Sequence, residues 1–180
     1  SAEDIPVVAF SVGEEELSGL DTKPLVGHLA AWNYFQSIDS PQNSEFISGW
    51  KEFVGNADRT TNDPMEAHFI GFNLWAKAVE KAGTTDIDAV LAALPGTQTP
   101  NLTGGIARVL PNPHISKPVY IGEVRADGQF DVVWQTDDGV PGDAWSDYLP
   151  VSEDTKADWV ELKCGNYNTK TGVCSSQNYE

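Results

Sequence analysis

Basic side chains are scarce. Eleven Lys and Arg stand against 27 Asp and Glu, a formal charge of −16. Such a surface repels polyanions, so nucleic acid and an anionic membrane are rejected as partners, while a neutral ligand stays compatible. Long apolar runs are absent, and nothing approaches the roughly 20 residues that cross a bilayer. The first residues also lack a basic region followed by an apolar segment, so no signal peptide is expected in the chain as it stands. Cysteine occurs only as Cys164 and Cys174, which close a short polar loop containing Gly165, Asn166, Asn168 and Gly172. A disulfide hairpin in an oxidising compartment is the preferred reading. Two free thiols are the alternative, and a metal site would need more ligands than lie nearby. There is no glycine-rich dinucleotide or phosphate loop, no helical zinc motif and no nucleophile elbow. With no cofactor signature, binding is favoured over catalysis, although so many carboxylates could form an acid and base pair by accident.

What is present suffices for a folded body. The chain has 180 residues, 40% of them hydrophobic and 10% aromatic, with six tryptophans, which is enough for an ordinary domain with a real core. No internal repeat or low-complexity segment interrupts it.

The stretch from Ile5 to Leu17 organises the reading. Ile5 to Phe10 lacks alternation and predicts a short strand buried on both faces, as in a parallel sheet covered by helices. Ser11, Gly13 and the run Glu14-Glu15-Glu16 follow, opening a helical turn to about Leu20. Carboxylates suit a first turn, and ligands of open α/β sheets bind beyond the carboxyl ends of strands. The glutamates therefore either solvate an exposed helix start or meet a ligand.

Downstream, His28 to Phe35 reads as an extended apolar segment broken by Asn33, whose buried amide must hold backbone or face a ligand. Ser40-Pro41 starts a helix carrying Phe46, Ile47, Trp50, Phe53 and Val54 and stopped by Gly55. Asp63-Pro64-Met65-Glu66 has the form of a capping box, with Asp63 at the N-cap and Glu66 three residues on. The helix it opens carries Met65, Phe69, Phe72, Ala76 and Val79 as a core-facing stripe until Gly83, with His68 as a satisfied core histidine beside it. A short third helix covers Thr85 to Ala93, and Thr97 to Gly105 reads as a loop. Pro118 to Arg125 and Gln129 to Gln135 form a β-hairpin turning at Asp127-Gly128. Beyond Thr136 the chain is acidic, with Trp145, Tyr148 and Trp159 expected to pin it down.

Several motifs in order carry a resemblance. Ile5 to Leu17, Gly27 to Phe35 with Ser37-Ile38-Asp39, Thr61 to His68, Asn101 to Gly105, Ala126 to Asp131 and Lys163 to Asn168 together resemble the substrate-binding protein of urea ABC transporters. That family is close to amide-sensing regulators and branched-chain amino-acid binding proteins. The resemblance covers nearly the whole chain and implies an α/β, type I periplasmic-binding-protein-like fold. Family members are longer, so it implies a C-terminal fragment contributing parts of two Rossmann-like lobes plus a β-hairpin. Residues 1–27 would end one lobe, 28–35 would cross the hinge, 36–110 would belong to the other lobe, 111–136 would return with the hairpin, and 137–180 would form the acidic tail. Open sheet edges would let such a fragment pair with another copy as a homo-oligomer.

The resemblance also implies a site. Glu14 matches the position at which amino-acid-binding relatives meet an ammonium group, and Ser11 lies near a hydroxyl used by amide-binding ones. Urea offers four in-plane N–H donors, two of which suit one carboxylate, and a carbonyl that needs donors. Ser11 or Asn33 would supply those, Trp32 a flat wall or hinge packing, and Glu15, Asp63 and Glu66 are weaker candidates. The implied role is extracytoplasmic capture of urea or a short amide for an ABC permease, without catalysis, cofactor or metal. An amide-sensing regulatory domain is the alternative, and a carboxylate-dependent small hydrolase a more distant one.

Overall fold

A computed structural model describes residues 1–143, 145, 148–159, 164–168 and 170–176. The chain divides into two units, Ser1–Gly142 and Asp143–Glu180. In the first, β1 (Val8–Ala9), α1 (Glu14–Leu17) and β2 (Leu29–Trp32) lead to three helices: α2 (Pro41–Val54), α3 (Asp63–Ala82) and α4 (Ile87–Ala93). Then come β3 (Gln98–Pro100), β4 (Ile106–Val109), β5 (Ile115–Ser116), β6 (Tyr120–Val124) and β7 (Phe130–Gln135). One sheet has the order β1-β2-β6-β7 and another the order β3-β4-β5. β1 runs parallel to β2, whereas β2, β6 and β7 pair antiparallel.

Local chemistry explains the boundaries. Ser40 caps α2, its hydroxyl oxygen accepting from Asn43 N at 3.0 Å, and Gly55 ends it at φ 64°, a left-handed conformation that glycine adopts without penalty. In β6, a Cβ at Gly122 would lie 3.0 Å from both Phe130 and Phe35. The missing side chain thus admits the Phe35–Phe130 ring pair, whose centroids are 4.5 Å apart.

Two main hydrophobic cores sit in this unit, with a smaller cluster of Ala78, Val90 and Ala93 between α3 and α4. The first joins Leu17, Ala30, Phe35, Tyr120, Val124 and Phe130; the second joins Tyr34, Ile70, Leu74, Leu102, Ala107 and Val109. Consecutive residues Tyr34 and Phe35 are both fully buried, one in each core. The chain therefore passes from one body to the other at this peptide. It returns through residues 117–119, between β5 and β6, and leaves again through 136–140, where Val140 and Lys117 exchange backbone hydrogen bonds of 2.7 and 3.2 Å.

Several expectations need correction. The strand at Ile5 to Phe10 is only two residues long and lies at a sheet edge. Ile5, Val7 and Phe10 are exposed, because no described strand pairs with its outer side. The capping box at Asp63 is displaced by one residue: Asn62 is the N-cap, its Oδ1 accepting from Met65 N at 3.1 Å. The buried stripe of α3 is Ile70, Leu74 and Ala78, while Phe69 and Phe72 are 46% and 64% exposed. Both rows recur at helical spacing, so periodicity alone does not choose between them. His68 is exposed and its Nδ1 lies 3.0 Å from the Pro64 carbonyl. Residues 97–105 include a β-strand and the turn of the β3–β4 hairpin, closed by Asn101 N to Gly105 O at 3.0 Å.

The second unit contains β8 (Thr155–Trp159), β9 (Cys164–Asn168) and β10 (Val173–Ser176) in an antiparallel sheet of order β10-β9-β8. Trp145 and Tyr148 are exposed, and the environment of the Trp159 side chain lies outside the described residues.

Candidate functional site

The three glutamates of α1 have three different tasks. Glu16 turns back, its Oε2 accepting from Gly13 N at 2.8 Å, which satisfies a helix-start donor as a capping glutamate does. Glu15 accepts from the Thr60 hydroxyl at 2.5 Å and pairs with Arg59 Nη2 at 2.8 Å. Glu14 points inward. It is 1% exposed, and its Oε1 accepts from Gln36 N at 2.6 Å. Its other oxygen is buried without a partner. Burial pushes the Glu14 carboxyl up to about 7, against the lowering effect of backbone N–H groups at Glu14, Gln36 and Ser37.

The α1 turn, from the first-core side, thereby meets residues 59–62 from the second-core side. A Cβ at Gly13 would lie 3.4 Å from the Trp32 ring and 3.7 Å from Asn62 Cβ, ordinary contact distances that place both residues beside the turn. Trp32 is half-buried against the first core. Gln36 stitches the seam, its side-chain oxygen accepting from Thr61 N at 2.7 Å and its amide reaching Gln129 at 3.0 Å. Below it, the Tyr34 hydroxyl donates to Asn43 Oδ1 at 2.7 Å and shares a 2.7 Å hydrogen bond with Thr61.

Two concavities adjoin this seam. One of about 170 Å³ is lined by Glu14, Thr22, Thr60, Asp127 and Gln129 among others. That is space for a solute of few heavy atoms, given about 30 Å³ per water. The other, about 420 Å³, is bounded by Glu15, Arg59, Phe46, Trp50, Met65 and Phe69. It shares Phe46, Trp50 and Phe69 with a neighbouring groove of about 650 Å³. The seam therefore offers carboxylates and a hydroxyl next to an aromatic wall.

The remaining candidates gather elsewhere. Asn33 N donates to Asp63 Oδ2 at 3.0 Å, and its side-chain amide donates to the Pro118 carbonyl at 2.8 Å. Glu66 is fully buried and forms an ion pair with Lys117, itself 8% exposed. Burial raises the Asp63 carboxyl, opposed by the Lys117 charge and the Asn33 N–H; burial likewise pushes Glu66 up to about 7, opposed by Lys117. Asn33, Asp63 and Glu66 are thus occupied with the connecting segments. Ser11 is exposed and stands apart.

Of the predicted residues, Glu14, Glu15 and Trp32 come together at the seam. Arg59, Thr60, Gln36 and Lys117 were not anticipated. Arg59 and Thr60 lie in a polar loop with no motif, and Lys117 meets Glu66 across 51 positions, a separation that leaves no local signal. Among the described residues, no group of three or more His, Cys, Asp or Glu is arranged to hold a metal ion, and no helix is long and apolar enough to cross a membrane.

Comparison with known proteins adds three findings. Residues 1–175 match the family model described as periplasmic binding protein domain. Among solved structures, the fold is similar to a solute binding protein of an ABC transporter from Rhodopseudomonas palustris BisB5 in complex with 3,4-dihydroxy benzoic acid. That match has TM-score 0.65 and 21% identity over 75% of this chain and 38% of that one. A second, from Rhodopseudomonas palustris HaA2 in complex with p-hydroxybenzoic acid, has TM-score 0.62 and 25% identity over 78% and 38% of the two chains. Among curated proteins, limonene hydroxylase of Geobacillus stearothermophilus is 32% identical over 122 residues, 68% of this chain and 22% of that protein. The chain thus spans well under half the length of these relatives.

Proposed function

The chain belongs to the periplasmic binding protein domain family, and from that premise we propose that it acts in the solute-binding component of an ABC importer. In this reading it captures a small molecule in the crevice between its two cores and hands it unchanged to a membrane permease, outside the cytoplasm. The observation that carries the reading is the passage of the chain between two separate cores, with Tyr34 in one and Phe35 in the other. Two bodies joined by short segments can close around a ligand, and hinge closure of this kind is a recurrent way to sequester one. The hydroxylase match covers 22% of that protein, so its activity is not carried over. An extracytoplasmic, oxidising location agrees with a Cys164–Cys174 disulfide.

For the solute, the reading is urea or a short amide. Glu14 lines a cavity of about 170 Å³ and carries one buried acceptor oxygen without a partner, which an N–H donor would satisfy once opening of the crevice uncovers it. Thr60 lines the same cavity, its hydroxyl donating to Glu15. A second reading rests on a different observation. The aromatic wall of Phe46, Trp50 and Phe69 next to Arg59 suits a hydroxybenzoate, the kind of ligand held by the Rhodopseudomonas proteins. Calorimetric titration of urea, acetamide and p-hydroxybenzoate into this chain tests both. Saturable heat with urea and acetamide, weakened about tenfold in Glu14→Gln, supports the first. Heat with p-hydroxybenzoate alone, abolished in Arg59→Ala, moves the solute to the second. No heat with any of the three overturns solute capture by this chain.

A further inference from the structure

Capture in a crevice, the reading above, requires that the two cores be tied together. Three segments connect them, and one buried cluster touches all three. Asp63 and Glu66 sit in the first turn of α3, on the second-core side. Asp63 receives the backbone N–H of Asn33, in the first segment. Glu66 receives the ammonium of Lys117, in the second. The backbone of Lys117 pairs in turn with Val140, in the third. Cross-ties complete the set: the Asn33 amide donates to Pro118 O at 2.8 Å, Val119 N donates to the Thr136 hydroxyl at 3.0 Å, and Thr136 N donates to Val119 O at 3.0 Å.

We propose that Asp63, Glu66 and Lys117 form a hinge clasp that sets the relative position of the two cores, so that residues which never touch the solute control its capture. The charge arithmetic favours a structural tie. One lysine faces two carboxyl groups, and a buried second negative charge is costly when only one cation answers it. Glu66 Oε1 has no hydrogen-bond partner, so Lys117 is the group that answers this buried carboxyl. The groups that face the cluster are Asp63 and Glu66 on α3, Lys117 on the second segment and the Tyr34 phenol on the first, whose proton is held more tightly through burial, with Glu14 and Glu66 adding to the effect.

The test is amide hydrogen exchange on the whole chain, comparing wild type with Lys117→Met, Lys117→Arg and Glu66→Gln at one pH. The clasp predicts that the amides of Asn33, Val119 and Val140 exchange at least tenfold faster in Lys117→Met, while those of Leu74 and Val124, one in each core, keep their wild-type rates. Lys117→Arg restores protection. Glu66→Gln preserves side-chain shape, keeps the fold if Lys117→Met does not, and speeds exchange at Val119 and Val140 at least threefold. Uniform acceleration across both cores in Glu66→Gln, or unchanged protection at all three segments, overturns the clasp. The effect on capture rests on the crevice reading, and is measured as a change of at least threefold in urea affinity in Glu66→Gln. Altered exchange with unaltered affinity would refute the link to capture and leave the exchange result standing, so the two failures are distinguishable.

Discussion

Replacing Glu14 by Gln should flatten part of the dependence of stability on pH. Glu14 is 1% exposed, and burial lifts its carboxyl from 4.5 to about 7. Between these values the folded chain holds a proton that the unfolded chain has released. Stability therefore falls as pH rises through this window. The contribution is fully present below pH 4.5 and gone above about pH 7. At about 1.36 kcal/mol per pH unit, the window corresponds to roughly 3 kcal/mol. Glutamine keeps an oxygen for the Gln36 N–H and has no proton to lose. Its unfolding free energy should thus run parallel to wild type below pH 4.5 and exceed it by up to roughly 3 kcal/mol at pH 8. The assay is guanidinium denaturation followed by tryptophan fluorescence from pH 4 to 8; urea is avoided because it is a candidate ligand. Glu66 titrates in the same direction in both proteins and cancels in the difference. A flat difference curve, or a variant less stable at pH 8 than at pH 5 relative to wild type, would refute the assignment of Glu14 as a buried carboxyl.

Further tests probe the packing. Gly122→Ala places a methyl 3.0 Å from Phe130 and Phe35, and overpacking at such a contact costs about 1–3 kcal/mol, visible as a lowered melting temperature in circular dichroism. Tyr34→Phe removes the hydroxyl that Asn43 and Thr61 share; leaving buried polar partners unmet costs about 1–3 kcal/mol, measured in the same guanidinium titration. Arg59→Ala breaks a pair whose arginine is 51% exposed, and such exposed pairs contribute roughly 0–1 kcal/mol. Its unfolding midpoint should stay within error of wild type.

Elements with strong local signals were legible in the sequence. Ser40-Pro41 and Gly55 bracket α2 as their chemistry requires, and Asp127-Gly128 turns the hairpin, with Gly128 at φ 77°. The choice of helix face was not legible. On α3 the rows Phe69–Phe72–Ala76 and Ile70–Leu74–Ala78 are both apolar, and the second is buried because Tyr34, Leu102 and Val109 pack with Ile70 and Leu74, and Val90 and Ala93 with Ala78. Those partners are up to 40 residues away in sequence. β1 failed for a related reason: Ile5 to Phe10 has the composition of a buried strand, but burial needs neighbours on both sides, and among the described strands β1 pairs only with β2.

The carboxylates separate local from distant information more sharply. Asp63 and Glu66 have the spacing of a capping box, which would account for both without a partner elsewhere. The N-cap falls on Asn62, and that one-residue shift frees both acids for other work. Asp63 then takes the Asn33 N–H and Glu66 takes Lys117. A capping glutamate is solvent-tolerant and cheap to replace, whereas a buried one bound to a lysine is not, because removing either partner strands the other charge. Glu66→Ala should accordingly cost about 3 kcal/mol or more in guanidinium denaturation, against roughly 1 kcal/mol for loss of a cap. A measured loss near the smaller value would return Glu66 to the helix start and leave Lys117 with no role in the hinge.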